Sequence, residues 1–164
     1  MQATTILEPG GGRATAPRGF VLFQYGFRPF FLLAGLHAAL AVPLWLAIWR
    51  GDLGWQPAMP ASIWHAHEML FGFATAALAG FLLTAVPNWT GTAAIKGPRL
   101  MLLVAVWLAG RIAAYGPSAL VFAAIDCVFL PLLALMVGPG IILRSGKRNA
   151  VMVVILLVLA AINA

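Results

Sequence analysis

The chain has 164 residues, 63% of them apolar and 9% charged, with a formal net charge of +6. An ordinary soluble domain is about half apolar and about a quarter charged, so these figures exclude one, together with a disordered tail and a nucleic-acid module. A mean hydropathy of +0.99 makes lipid the natural solvent and points to an all-α, polytopic transmembrane helix bundle.

Residues 1–19 contain Gly10-Gly11-Gly12, Pro9, Pro17, Arg13 and Arg18, with no apolar signal-peptide core. They are expected to form an uncleaved, disordered N-terminal arm, and residues 20–164 a transmembrane domain. Phe20, Phe23, Tyr25 and Phe27 suit the headgroup layer. The first span reads Phe30 to Trp49, interrupted by His37 and Pro43. The second runs from Ile63 to Val86, with Ser62 as N-cap and Pro87 as a stop. The third reads Leu100 to Tyr115 and carries Arg111, and Gly116-Pro117-Ser118 makes a hairpin. The fourth reads Ala119 to Leu143 and carries Asp126. A fifth begins near Ala150 and covers about 22 Å by Ala164, short of a crossing at 1.5 Å per residue. The expectation is therefore four complete spans plus a truncated fifth, in the N-terminal part of a longer protein.

Eight of the ten basic residues fall on one side of these spans: Arg13, Arg18, Arg28, Lys96, Arg99, Arg144, Lys147 and Arg148. The positive-inside rule puts that side, and the N-terminus, in the cytoplasm. In a soluble protein a pI near 10.8 would raise nucleic acid as a partner; here the cations mark topology instead. Cys127 alone excludes an intrachain disulfide and is read as a small packing residue. Asn88-Trp89-Thr90 matches a glycosylation sequon but faces the cytoplasmic side.

The densest polar cluster is Trp64-His65-Ala66-His67-Glu68-Met69. Imidazoles ligate haem iron and copper. On a regular helix, residues i and i+2 point about 200° apart. His65 and His67 therefore serve two centres, share one if the helix start is unwound, or simply cap a helix near water. Phe71 stands where a zinc HExxH motif needs its second His. His65 shares the face of Glu68 and Gly72; His67 sits above Phe71 and Leu78. Gly72, Ala76, Gly80 and Thr84 form a small-residue stripe suited to close helix approach. Counted from the hairpin, Arg111 and Asp126 lie at similar depths. They read as an intramembrane ion pair, with Arg111 alternatively facing a haem propionate. His37 counts about 10 Å in from the cytoplasmic side and is expected to hydrogen-bond a neighbouring helix rather than join the outer cluster.

Three strings in order resemble the NnrS family. These are Gly26-Phe27-Arg28-Pro29-Phe30-Phe31, Trp64-His65-Ala66-His67-Glu68-Met69-Leu70-Phe71-Gly72-Phe73, and Gly80-Phe81-Leu82-Leu83-Thr84-Ala85-Val86-Pro87-Asn88-Trp89-Thr90-Gly91. Trp107-Leu108-Ala109-Gly110-Arg111 also fits. The resemblance covers roughly residues 20–164 and implies a bacterial inner-membrane protein of the nitric oxide response that contains haem and copper. It implies His65 and His67 as metal ligands, and a chain completed by further helices. Nitric oxide and the lipid bilayer are the implied partners. A transporter or permease with the outer His/Glu cluster as its gate is the alternative. A structural subunit in which the histidines only cap a helix is a third reading.

Overall fold

A computed structural model describes residues 21–144 and 146–164. The arm expected over 1–19, with Arg13 and Arg18, lies outside the described residues, as do the side chains of Lys147 and Arg148. Among the described residues every regular element is helical. Three helices are long and apolar enough to cross a membrane: Phe27–Trp49 (α1), Ala61–Thr90 (α2) and Ala119–Arg144 (α4). Pro98–Ala113 (α3) and Gly146–Asn163 (α5) are shorter. The 16 residues of α3 span about 24 Å at helical rise. Length and composition therefore mark three spans, where the sequence reading counted four and a partial fifth.

Helix ends follow local chemistry. The α1 helix starts three residues before the expected Phe30, with Pro29 in its first turn, where a missing N–H costs nothing. Its end is closed by Gly51 at φ +76°, whose N–H donates to the Ile48 carbonyl at 3.0 Å. Ser62 does not cap α2; that helix starts after Pro60, whose carbonyl accepts from Trp64 N–H at 2.9 Å. Nor does Pro87 end it. The helix continues to Thr90 and stops at Gly91, φ +64°. Ser118 Oγ accepts from Val121 N–H at 3.3 Å and caps α4 as a hairpin exit should. Within α4 the helical pattern breaks at Cys127 and Val128. Pro131 explains the break, since it offers no N–H to the Cys127 carbonyl and its ring crowds that carbonyl.

The core sits where α2 meets α1, α3 and α4, and includes Phe30, Leu82, Leu103, Trp107 and Leu133, with Leu156 joining from α5. Small residues permit the approach. A Cβ on Gly80 would stand 3.1 Å from the Phe31 ring. At one end of the bundle Gly97 N–H donates to the Phe23 carbonyl at 3.0 Å, and Arg28 and Lys96 flank the Tyr25 ring at 4.9 and 5.4 Å. At the other end Trp55 and Tyr115 meet at 5.6 Å. Between these ends α2 departs from regular winding: Glu68–Ala74 is a π-helix.

Candidate functional site

The π turn faces the middle of the bundle. Glu68 is fully buried there, with Arg111 of α3 and Asp126 of α4 against it, 4% and 6% exposed. Arg111 Nη1 donates to both oxygens of Glu68, 3.1 Å from each. Arg111 Nη2 donates to Asp126 Oδ1. The Arg111–Asp126 pair expected from their depths is present, and Glu68 completes a triad.

Two more side chains close the triad into a ring. Asn163 of α5 donates from Nδ2 to Asp126 Oδ2 at 2.9 Å. Its Oδ1 lies 3.0 Å from His67 Nε2. His67 Nδ1 lies 3.3 Å from Glu68 Oε1, and its Nε2 also stands 3.4 Å from Asp126 Oδ2. The circuit runs Glu68–Arg111–Asp126–Asn163–His67 and back to Glu68. Formally it sets one guanidinium against two carboxylates. Removing one partner from such a buried set leaves an uncompensated charge at a cost of about 3–5 kcal/mol.

His37 reaches the ring from α1, so it meets a neighbouring helix as expected, but within the polar cluster and not apart from it. Its Nε2 lies 3.2 Å from Glu68 Oε2, at ion-pair distance though outside hydrogen-bond geometry. The depth count failed because it placed the helix start too late. With α1 beginning at Phe27, His37 is the eleventh of 23 residues and sits near mid-helix. Trp107 packs edge-on against the His37 ring at 5.6 Å and donates from its indole to the Gly72 carbonyl at 3.1 Å. Two glycines make room for these groups. A Cβ on Gly72 would lie 2.5 Å from His37 Nε2 and 2.7 Å from Arg111 Nη1, and one on Gly110 would lie 2.7 Å from Asp126 Oδ1.

The two histidines of the motif part company, and their roles differ from those read from the helical wheel. Glu68 pairs with His67, its chain neighbour, and no hydrogen bond or ion pair joins it to His65. Ala61–His67 is regular α-helix, so the wheel holds from His65 to Glu68, and the π turn changes the angular step only beyond Glu68, toward Gly72. His65 instead stacks on Trp45 of α1, ring centroids 4.1 Å apart and planes 17° apart. Its Nδ1 is buried without a hydrogen-bond partner, as are the indole N–H groups of Trp45 and Trp64. His67 does lie over Phe71, at 5.0 Å, and also meets Phe122 at 4.9 Å.

A metal needs an imidazole lone pair. Among the described residues no three His, Cys, Asp or Glu side chains form a metal-ligating group. His65 fits as a single ligand, because one of its ring nitrogens is buried and unclaimed. His67 turns both nitrogens toward acceptor oxygens within the ring. Arg111, read alternatively as a partner for a propionate, already has both Nη groups on carboxylates. The sequence reading does not single out Asn163. The signal that could have found it is the unequal count of two intramembrane carboxylates and one guanidinium, which calls for further donors.

The family described as NnrS protein matches residues 21–164. The chain belongs to the NnrS family. No curated protein and no solved structure matches it. In this NnrS chain the strings around Phe27–Phe31 and Gly80–Gly91 lie on facing helices, with the Phe31 ring over Gly80. The string from Trp64 to Phe73 supplies the π turn and three of the polar side chains in and beside the ring.

Proposed function

We propose that this NnrS chain is part of a haem- and copper-binding protein of the bacterial inner membrane that relieves nitric oxide stress. One observation carries the reading: the buried, unpartnered Nδ1 of His65, held against Trp45. An orphaned buried polar atom is costly, and coordination to a metal removes that cost. A bound haem iron or copper would supply a coordination position for a diatomic gas. The chain's own residues do the rest. Trp45 fixes the plane of the His65 ring, and the ring of Glu68, Arg111, Asp126, Asn163 and His67 holds α2 to α5 in place beside it. His67 would give Nε2 to a second metal only by releasing Asn163, so His65 is the preferred ligand here and His67 the secondary one.

In the membrane we place the first four helices as crossings and the fifth as a partial one, with Arg28, Lys96, Arg99 and Arg144 on the cytoplasmic side. The shared Tyr25 contact of Arg28 and Lys96 supports a single basic end. The test is a visible spectrum and copper assay on full-length protein in detergent. His65→Ala should lose at least one metal while His67→Ala loses less. Full haem and copper in His65→Ala protein of wild-type melting behaviour overturns the assignment. A wild-type protein with neither metal favours the transporter reading.

A further inference from the structure

Between α1 and α3 runs a groove of about 270 Å³, just below the size range of drug-sized ligand sites and enough for a single ring. Its mouth is apolar and open: Leu36 is 51% exposed and Leu40 68%. Leu33 and Leu108 extend this apolar wall, and Tyr115 stands at the hairpin end. The deeper lining is different in kind. His37, Trp107 and Arg111 are each more than nine-tenths buried. Arg111 Nε is buried and has no hydrogen-bond partner. The groove thus joins an aliphatic entrance to aromatic walls and one unspent donor.

We infer that this groove binds the headgroup of a membrane quinone, with a ring carbonyl accepting from Arg111 Nε–H. Three observations select that chemistry. The entrance is exposed and aliphatic, which suits a ligand arriving from the hydrocarbon layer with an apolar tail. Trp107, His37 and Tyr115 line it with aromatic rings, against which a flat headgroup packs. The charge of Arg111 is already met by Glu68 and Asp126, so a carboxylate or phosphate would meet two anions beside one cation. A neutral carbonyl oxygen takes the free N–H without that repulsion. This site is separate from His65 and does not depend on a metal there.

Decylubiquinone binding to the full-length protein in detergent, followed by isothermal titration, tests the inference. Leu36→Trp and Leu40→Trp fill the mouth without touching the polar ring, and each should weaken binding at least tenfold. Arg111→Lys keeps the cation between the two carboxylates but lacks Nε–H, and should weaken binding similarly. If Leu36→Trp does not fold, judged by its melting curve, Leu40→Trp carries the test. Unchanged metal content in the Trp variants separates this site from the proposed His65 centre. No quinone binding to wild-type protein, or wild-type affinity in every folded mouth variant, overturns the inference. Decanoate displacing quinone at lower concentration than quinone itself also overturns it, by making the groove an anion site.

Discussion

Arg111 and Glu68, 43 residues apart in sequence, meet inside the bundle with one guanidinium nitrogen 3.1 Å from each carboxylate oxygen. Asp126 takes the other end of the same guanidinium. The cation is therefore shared between two helices, and it is what allows both carboxylates to be buried. Viewed as a simple Arg111–Asp126 pair, the double change to leucine would restore balance. With Glu68 present it does not.

The first prediction follows from that difference. Arg111→Leu should destabilise the protein by about 3–5 kcal/mol, read as a large drop in melting temperature in detergent. Arg111→Leu/Asp126→Leu should recover little, because Glu68 stays buried without its guanidinium. Adding Glu68→Gln should recover more. Full recovery in the double variant would mean that Glu68 does not depend on Arg111.

Gly72 is the second point of test. Its added methyl would stand 2.5 Å from His37 Nε2 and 2.7 Å from Arg111 Nη1. Both groups are held by Glu68, so Gly72→Ala should cost about 1–3 kcal/mol, the range for overpacking. Gly35, on a helix with nothing within 4 Å of its would-be Cβ, is the control. Gly35→Ala should be neutral or slightly stabilising. Equal melting temperatures for the two variants would remove the case for a crowded Gly72.

Asn163 and His67 lie 96 residues apart with Nε2 and Oδ1 at 3.0 Å. A double-mutant cycle of His67→Phe and Asn163→Leu should give a coupling of about 0.5–3 kcal/mol. Strict additivity of the two melting shifts would show that the fifth helix does not close the ring.

Topology gives the fourth. In a Cys127→Ala background, Gln56→Cys and Lys96→Cys both sit at exposed positions. A membrane-impermeant thiol reagent applied to intact spheroplasts should label position 56 and spare position 96. Labelling at 96 alone would invert the bundle.

Much of this was legible in the chain. Apolar runs gave the helices, and the depth count that paired Arg111 with Asp126 was sound because both lie close to the same hairpin. The depth count for His37 failed because it relied on a helix boundary, and moving the start to Phe27 changes the side chain's neighbours. The partner of Glu68 was misjudged because a helical wheel does not see Trp45, which takes the His65 ring into a stack; the π-helix at Glu68–Ala74 shifts the faces beyond it. Nothing in local sequence announces that turn. Its carbonyl bond to Trp107 and the pair of groups filling the space over Gly72 are tertiary. Asn163 was missed for the same reason, since its three partners, His67, Asp126 and Cys127, all come from far away in the chain.

The ring also sets an order of events during synthesis. Glu68 leaves the ribosome 43 residues before Arg111 and 95 before Asn163, so its carboxylate enters the bilayer before its cation exists. His37, already made, is the side chain from α1 positioned to meet it in that interval. Arg111 and Asp126 then arrive together on one hairpin, and Asn163 comes last. Until the fifth helix docks, His67 Nε2 and Asp126 Oδ2 lack Asn163 and face only each other, 3.4 Å apart.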